Sequence, residues 1–366
     1  MLITTTKENL LTAINAVQRA INPKSIIPLY SCIKISVAED IAVFTGAGLD
    51  ISIECSIPVQ TLREGIALIP ARTFYDIVRR LPDIPITLEH SDSMELTISY
   101  EKSVFSLKTL PADDFPAMPV FSAGMEFSVP AETIKKLIRQ ASFAASSDDL
   151  KAIFTGILWE INGGELSLIG TDTHRLSWAK GTVDINDNDA KGSFIIPAKT
   201  AIEISRLMLN DACSVKAEKN TVFFAFDNIK ISCQVLQGSF PNYRQVIPTA
   251  FITSLSVNGS SLRDVTERIS LFATSSEASS TIHMEITDDI LSIYSRSDIG
   301  FGREEIAIAR EGDDLKISFN SRYISDVFKA IEGEKLRVRF SGQLSSAIIT
   351  DEEDGSYLYL VLPVKV

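Results

Sequence analysis

Apolar residues recur at helical spacing in six separate segments of this chain. In the first segment Leu10, Ile14 and Val17 are three or four residues apart, which puts them on one face of a helix. The same spacing predicts amphipathic helices at residues 7–20, 71–81, 131–142, 198–209, 260–272 and 321–331. Because an amphipathic helix buries its apolar face against other elements, the pattern indicates a folded, layered chain.

The segments between these helices alternate apolar and polar residues, as half-buried strands do. Ile33–Val37 and Ile290–Tyr294 are examples. Val222–Phe226 and Ile229–Ile231 flank the pair Asp227-Asn228, whose residue types favour a tight turn, so this stretch predicts a β-hairpin.

The pattern of helices and strands repeats three times. Ile69–Arg72, Ile196–Lys199 and Phe319–Arg322 each open a predicted helix, and they lie roughly 125 residues apart. This period is far longer than the ~20–50 residues of a solenoid repeat. The sequence therefore predicts an α+β chain of three similar domains, each with two helices packed on antiparallel sheets of about eight short strands.

Proline-rich segments separate the three repeats. Phe115-Pro116 recurs as Phe240-Pro241, and each pair is followed by a second proline, Pro119 or Pro248. Proline cannot donate a backbone hydrogen bond, so such clusters mark connections between elements. We place the domains at residues 1–120, 121–250 and 251–366.

Charge is distributed unevenly between the helices and the rest of the chain. The net charge of −12, taken alone, argues against nucleic acid. The six predicted helices nevertheless carry fourteen basic and seven acidic residues, so the acidity lies outside them. A basic helical face suits a polyanion, but helices with solvated charges would look the same, and the residues alone leave both interpretations open.

Composition points to a cytoplasmic protein. The first residues lack the basic start and apolar run of a signal peptide, and the longest apolar stretch, Tyr357–Val364, is too short to cross a bilayer. The four cysteines form no C-x-x-C pair, so we expect free, buried thiols in a reducing compartment, with no metal site. They are Cys32, Cys55, Cys213 and Cys233.

Motifs for catalysis are absent or weak. Gly46-Ala47-Gly48 resembles a dinucleotide loop, but Ile51 stands where the third glycine belongs, so we expect a tight turn between strands. Adjacent acids such as Asp288-Asp289 face opposite sides of a strand and do not converge on one substrate. His90 and His283 lie in strand-like contexts with no partner nearby in sequence, whereas His174 lies in the segment Gly170–Leu176; a lone histidine is more often structural. These features supply no catalytic site and point to no cofactor.

Four further motifs occur in order along the chain. They are Thr109–Pro116, Thr171–Leu176, Gly238–Arg244 and Leu360–Val366. Each is weak alone, but together they resemble the bacterial sliding clamps, the beta subunits of DNA polymerase III, over the full length of the chain. The resemblance implies a non-catalytic processivity factor of DNA replication. In that family two chains pair head to tail as a homodimer, and six domains form a ring around double-stranded DNA, independent of its sequence, with helices lining the hole.

The resemblance also implies a peptide-binding groove between the second and third domains. There the DNA polymerase III alpha subunit, the clamp loader and other proteins with a clamp-binding motif would dock. The positions that match are Phe154, Thr171, Thr173, His174, Arg175, Leu176, Pro241, Val246, Asn320, Tyr323, Leu344, Ser346, Leu360, Val361, Leu362, Pro363 and Val364. Apolar side chains would form a trough, and a few polar groups would hold a peptide backbone. The tail also reads as an ordinary final strand.

Three of these positions depart from the family pattern. Thr173 stands where many members have glycine, and Leu362 and Val364 stand where some have methionine. Because side chains at these positions shape the groove, we expect its peptide preference to differ.

The resemblance carries over to the ring contacts and to the DNA-facing surface. Phe105 and Leu107 resemble one side of the dimer interface and Leu271 and Phe272 the other, although ordinary core packing would explain them equally. The basic residues expected to face DNA are Lys24, Arg72, Arg79, Arg80, Lys135, Lys136, Arg139, Lys199 and Arg206.

Three rival classes of protein remain at this stage. An acidic multidomain scaffold would bind peptides without encircling DNA. A hydrolase would need two carboxylates that converge in one pocket, which the sequence does not supply. A trimeric ring is disfavoured because three domains in each chain make two chains sufficient for six.

Overall fold

The computed structural model describes residues 1–91, 93–186, 189–209, 212–273 and 280–365. Val366, the last residue of the C-terminal motif, lies outside these residues. The chain folds into two compact units. The first comprises Met1–Ala131 with Arg206–Val235, and the second comprises Glu132–Ser205 with Leu236–Val366. The middle repeat is thus shared between the units.

All six predicted helices form. They are α1 (Lys7–Val17), α2 (Ala71–Val78), α3 (Ala131–Ser142), α4 (Ala198–Leu207), α5 (Gly259–Ser270) and α6 (Ser321–Val327). Short 3-10 helices occur at Gln18–Ala20, Pro28–Ser31, Asp149–Thr155 and Tyr243–Val246. Several helices end earlier than predicted. The predicted ranges were too long because the apolar spacing continues into the turn that follows each helix. Leu81, for example, lies beyond α2 yet is buried, and its carbonyl accepts a hydrogen bond from Lys7 Nζ at 2.6 Å.

Side-chain caps explain where three of the helices begin. The side chain of Thr6 accepts a hydrogen bond from the Asn9 amide, and Asn258 and Asn320 cap α5 and α6 in the same way. Such caps satisfy amides that have no partner inside the helix. Polar residues at these positions therefore fix the helix starts.

The rest of the described chain is mostly antiparallel sheet. Its strands are β1 (Leu2–Thr5), β2 (Cys32–Ala38), β3 (Ile41–Ala47), β4 (Ile51–Pro58), β5 (Gln60–Arg63), β6 (Gly65–Pro70), β7 (Ile86–Ser91), β8 (Glu95–Tyr100), β9 (Ser103–Lys108), β10 (Met125–Pro130), β11 (Gly156–Asn162), β12 (Glu165–Thr171), β13 (Arg175–Thr182), β14 (Lys191–Pro197), β15 (Ala212–Ala217), β16 (Thr221–Phe226), β17 (Ile229–Gln234), β18 (Thr253–Asn258), β19 (Thr281–Thr287), β20 (Ile290–Ser297), β21 (Gly300–Ala307), β22 (Ala309–Gly312), β23 (Leu315–Asn320), β24 (Lys335–Phe340), β25 (Ala347–Asp351) and β26 (Tyr357–Val361). The predicted hairpin is confirmed, with Asp227 at a positive φ of 47° in its turn.

Each compact unit contains one large sheet and one small sheet. In the first unit the orders are β10-β15-β16-β17-β4-β3-β2-β6 and β5-β1-β7-β8-β9. In the second they are β14-β11-β12-β13-β26-β25-β24-β18-β22 and β21-β20-β19-β23. The large sheets are continuous across repeats, because β4 pairs with β17 and β13 pairs with β26. The α+β prediction, with paired helices on antiparallel sheets, is confirmed.

The expectation that Gly46 and Gly48 form a tight turn was wrong for Gly46. This residue lies within β3, where a Cβ atom would collide with the carbonyl oxygen of Val17. Gly170 meets the carbonyl of Ala141 in the same way. Glycine is therefore needed where helix and sheet approach most closely.

The cysteines were predicted to be free and buried, and this part of the prediction is confirmed. All four thiols are free and buried. Burial raises the pKa of Cys213 and of Cys233 to about 12, so both stay protonated and unreactive near neutral pH. None of the helices in the described ranges is long and apolar enough to span a membrane.

Candidate functional site

The floor of the candidate groove is formed by three neighbouring strands of the large sheet in the second unit. Leu176 on β13 lies opposite Leu360 on β26, which in turn lies opposite Ile348 on β25. These residues belong to one buried apolar cluster with Leu158, Ile169, Ile195 and Tyr243. Because cross-strand neighbours on one face touch, residues distant in sequence become one continuous surface.

One wall of the groove is the connection after Pro241. Tyr243 is buried against Trp178, with ring centroids 5.4 Å apart, and its hydroxyl donates to Glu160 at 2.8 Å. Burial raises the pKa of the Tyr243 hydroxyl, and the bond to Glu160 raises it further. This anchoring holds the connection on the sheet and leaves the Val246 side chain 57% exposed beside it.

The C-terminal segment after β26 forms the opposite edge of the candidate groove. Beyond β26 the Leu362 amide donates to the His174 carbonyl at 2.9 Å, and the Val364 amide donates to the Ser318 carbonyl at 2.8 Å. These two bonds tie the tail to different elements while the Leu362 side chain stays 41% exposed. Apolar side chains of the tail are thus held at the surface by their own backbone.

The loop between β12 and β13 is held by side-chain hydrogen bonds. Asp172 Oδ1 accepts from the amides of His174 and Arg175, and Thr171 Oγ1 donates to the Arg175 carbonyl at 2.6 Å. Thr173 at the tip has a φ of +81°, which a β-branched residue rarely adopts. A glycine at this position would adopt that backbone without strain.

Replacing Thr173 with glycine should therefore stabilise the protein. We expect the free energy of unfolding to rise by about 1 kcal/mol, because relief of an unfavourable left-handed conformation outweighs the extra freedom of glycine in the unfolded chain. Urea denaturation followed by circular dichroism measures the change. Thr173→Ala is the control, since it keeps the Cβ atom and should gain little. A Thr173→Gly protein less stable than wild type would contradict the strain argument.

A buried ion pair supports the groove from below. The Arg175 guanidinium donates to Asp326 at 2.6 Å and to Asp172 at 3.0 Å, and its Cζ atom lies 4.6 Å from the centre of the Tyr323 ring. The Arg175 and Asp326 side chains are only 8% and 7% exposed. Burial alone would raise the pKa of Asp326, but hydrogen bonds from Lys329 and Arg175 outweigh it and leave that pKa lowered.

Breaking this pair should destabilise the second unit. We expect Asp326→Asn to lower the free energy of unfolding by about 3 kcal/mol at pH 7, because it leaves a buried charge poorly compensated. A carboxyl whose pKa is lowered by folding contributes stability above its unfolded pKa of about 4, and that stability is lost as pH falls through the folded value. Wild type and variant should therefore converge in acid.

The measurement is urea denaturation at several pH values. Glu332→Gln is the matched control, because Glu332 pairs with Arg139 at the surface, where an ion pair contributes under about 1 kcal/mol. An Asp326→Asn cost that does not shrink toward low pH would argue that packing, rather than charge, explains the loss.

The residues matched to the groove fall into three groups by exposure. Those exposed to solvent are Thr173, His174, Pro241, Val246, Leu344 and Leu362; those half-buried are Phe154, Asn320, Tyr323, Pro363 and Val364; those buried are Thr171, Arg175, Leu176, Ser346, Leu360 and Val361. Val361 is fully buried, so its side chain supports the site from within. Arg175 also serves the fold, since its guanidinium is committed to Asp172 and Asp326.

Polar and aromatic groups complete the site. The rings of His174 and Tyr323 stack with centroids 6.3 Å apart, and Phe154 meets Phe240 at 6.3 Å. Asn320 uses its side-chain oxygen to cap α6, which leaves its amide nitrogen to donate elsewhere. Leu344 lies in the turn between β24 and β25, 69% exposed.

Sequence reasoning missed two groups that shape the site. Trp178 lies on the face of β13 that carries Leu176, and period-two spacing from Leu176 could have indicated it. Asp326 lies 151 residues from Arg175, and no local signal links them.

The basic residues expected to face DNA differ in their pairing. Arg79 and Arg80 contact Asp76, Lys135 contacts Glu132, Lys136 contacts Asp354, and Arg139 contacts Glu332. Lys24, Arg72 and Lys199 are exposed and make no ion pair within the described ranges. Arg206 is exposed near the end of α4.

The residues expected at a dimer interface lie at or beside two sheet edges that pair with no further strand among the described residues. Phe105 and Leu107 are on β9, an edge strand of the small sheet in the first unit, where Phe105 is 39% exposed and Leu107 is half-buried. Leu271, which is 73% exposed, and Phe272 follow α5. The Phe272 ring packs on the backbone of Gly302 in β21, an edge strand of the small sheet in the second unit.

Three protein-family models match the chain in order. They are described as the N-terminal, central and C-terminal domains of the DNA polymerase III beta subunit, and they match residues 1–119, 128–242 and 244–365.

Individual relatives are similar over their whole length. The beta sliding clamp of Staphylococcus epidermidis is 29% identical, covering 100% of this chain and 99% of the relative. The crystal structure of the DNA polymerase sliding clamp from Bacillus subtilis superposes with a TM-score of 0.97 at 30% identity, covering 100% of this chain and 99% of that one. The DNA polymerase III beta chain of Streptococcus pneumoniae has a TM-score of 0.95 at 28% identity, with both chains covered completely.

Proposed function

This chain belongs to the DNA polymerase III beta subunit family, the bacterial sliding clamps, and we propose that two copies close into a ring around double-stranded DNA. As a clamp it is a non-catalytic accessory subunit of DNA replication. The ring would tether the DNA polymerase III alpha subunit, the clamp loader and other proteins that carry a clamp-binding peptide. Because chromosomal replication in bacteria takes place in the cytoplasm, we place the protein there.

The ring is supported by two strand edges that pair with no other strand in the described part of the chain. Within the chain, β4 pairs with β17 and β13 pairs with β26, and each pair joins one repeat to the next. The strands at the corresponding places for a third junction are β21 and β9, and both lie at sheet edges. Exposed edges tend to pair with another strand. A head-to-tail contact of β21 with β9 of a second copy would repeat the junction and close six domains.

Contact with DNA would run through phosphates. Lys24, Arg72 and Lys199 offer exposed cations without ion pairs in the described part of the chain, whereas Lys136 and Arg139 already contact carboxylates. Phosphate contacts carry no sequence information and are lost with salt. Such weak contacts suit a ring that must slide, since specific base contacts would hold it at one site.

Retention on DNA should depend on whether the DNA has ends. We expect a ring assembled on nicked circular DNA by a bacterial clamp loader to stay bound through gel filtration, because the link is topological. Cutting the circle with a restriction enzyme should release it at least 10-fold faster. Direct binding to linear DNA should be weak and should fall further between 50 and 200 mM salt, by the order expected for a few phosphate contacts.

This experiment separates the clamp from an acidic peptide-binding scaffold. A scaffold would show no difference between circular and linear DNA, so equal retention on both would refute the ring. The groove would be untouched by that outcome, because peptide binding is measured separately.

A further inference from the structure

Over eight strands the two large sheets have the same order and direction, so their residues can be compared position by position. In the second unit Leu158, Ile169, Trp178 and Leu358 lie opposite one another across β11, β12, β13 and β26. In the first unit the same register across β2, β3, β4 and β17 places Lys34, Thr45, Glu54 and Lys230 opposite one another. The row that is apolar under the groove is therefore polar and charged in its repeat.

The connection that covers each row, called the covering segment below, is also repeated. Phe240-Pro241 begins the connection over the apolar row, and Phe115-Pro116 begins the connection over the charged row. In both units a backbone amide of the incoming chain donates to the edge strand beside the row: the Leu236 amide to the Ile195 carbonyl on β14 and the Leu110 amide to the Leu68 carbonyl on β6, each at 2.9 Å. The charged row is thus enclosed by the same kind of chain path as the groove.

A cavity of about 600 Å³ lies between the charged row and its covering segment. Its apolar wall includes Met118, Phe121 and Phe223, with the two phenylalanine rings edge to face at 5.9 Å. Its polar wall includes Lys34 and Lys230 with Glu54 between them. This volume lies within the range of small-ligand and side-chain pockets.

Three lysines line the cavity, and two of them make no ion pair with a described residue. Lys216 also lines it but pairs with Glu126 at 2.8 Å and lies over the Phe121 ring. Lys230 is exposed, and Lys34 is half-buried with its Nζ 5.9 Å from the centre of the Phe115 ring. Neither lysine makes an ion pair with any residue the structure describes. Glu54 is the one carboxylate among the described lining residues. A local excess of cations in a chain of net charge −12 favours an acidic occupant.

We propose that this cavity is a second peptide-binding groove, selective for an acidic peptide with an apolar anchor. The inference rests on the proposed peptide-binding function of the first groove. Lys34 and Lys230 are three strand spacings apart, about 14 Å, which an extended peptide covers in about four residues. Carboxylates at positions i and i+4 would meet the two lysines, an apolar side chain at i+2 would pack against the apolar wall of the cavity, and Glu54 would accept a backbone N–H.

The test uses a defined probe on the full-length protein. The probe is a fluorescein-labelled seven-residue peptide with aspartate at its second and sixth positions, phenylalanine at its fourth and serine elsewhere. Fluorescence anisotropy should detect binding in the range of roughly 10–500 μM. Replacing both aspartates with asparagine, or Lys34 and Lys230 with glutamine, should each weaken binding at least 10-fold.

Two controls locate the site. Lys191→Gln with Lys219→Gln removes two exposed lysines elsewhere and should change affinity less than 2-fold. Deleting Leu362–Val366 should leave the acidic probe bound while abolishing binding of a polymerase-tail peptide. The polymerase peptide is titrated in parallel, so its failure to bind wild-type protein would refute the first groove and leave the acidic probe readable on its own.

Three results would overturn the second groove: no binding of the probe to wild-type protein at 1 mM, binding that survives K34Q/K230Q, or binding that is lost on deletion of the tail. A short single-stranded oligonucleotide provides the last comparison. Should it bind more tightly than the acidic probe, with the same dependence on Lys34 and Lys230, the site would belong to nucleic acid and the peptide assignment would be wrong.

Discussion

Deleting Leu362–Val366 is expected to abolish binding of polymerase-tail peptides to the first groove, with a loss of at least 100-fold in affinity. The deletion removes the Leu362 and Val364 side chains, and burial of two such side chains contributes about 3–4 kcal/mol, or roughly two to three powers of ten. It also removes the hydrogen bonds to the carbonyls of His174 and Ser318 that fix the tail. The fold should survive, because β26 ends at Val361.

Fluorescence anisotropy with a labelled polymerase-tail peptide measures the loss. The matched control deletes only residues 365–366, which lie beyond the matched groove positions, and should bind within about 2-fold of wild type. The truncated protein should keep its dimer mass and its retention on circular DNA. Unchanged peptide affinity in the truncated protein would contradict the groove assignment while leaving the ring intact.

Charging the edge beside β21 is expected to convert the dimer to folded monomers. At micromolar concentration the wild-type protein should scatter light as about twice the chain mass of 40.2 kDa. Phe272→Asp would put an unpaired carboxylate into the proposed apolar contact, at a cost of about 4 kcal/mol, so the dimer dissociation constant should rise roughly 1000-fold.

A second variant keeps this test interpretable. Phe272 also packs on Gly302 within its own unit, so its replacement could disturb the fold, whereas Leu271 is 73% exposed and its replacement by aspartate should not. Leu62→Asp is the control, because Leu62 is 63% exposed on β5, at the other edge of the small sheet that contains β9. A Leu271→Asp protein that remains a dimer at submicromolar concentration would rule out this edge as the interface.

The sequence by itself determined the elements, because their signals are local. Apolar spacing such as Leu10, Ile14 and Val17 sets a helix face, and Thr6 sets the helix start through a bond to an amide three residues away. The Asp227-Asn228 turn and the alternation around it set the hairpin of β16 and β17. The order of four motifs was enough to identify the family, since each is a short contiguous stretch.

Pairing between distant strands was decided only by the tertiary structure. The three-domain prediction divides the chain at its prolines, yet β4 pairs with β17 and β13 pairs with β26, more than 170 residues apart. Many strands of this chain share a similar alternation of apolar and polar residues and could pair with β4 or with β13. The alternation therefore does not determine which strands pair. The same long-range pairing sets Lys34 and Lys230 on one row, a juxtaposition invisible in the sequence.

The roles of individual site residues were likewise decided by packing. Arg175 reads as a groove residue by its motif, but the fold commits its charge to Asp326, and Val361 turns fully inward. Gly46 was predicted to lie in a turn, but it lies in β3, where the Val17 carbonyl leaves no room for a Cβ atom. In each case the partner comes from a distant part of the chain. Residue type and local spacing therefore determine which elements form, while burial and partners, which exist only after the elements pack, determine what each side chain does.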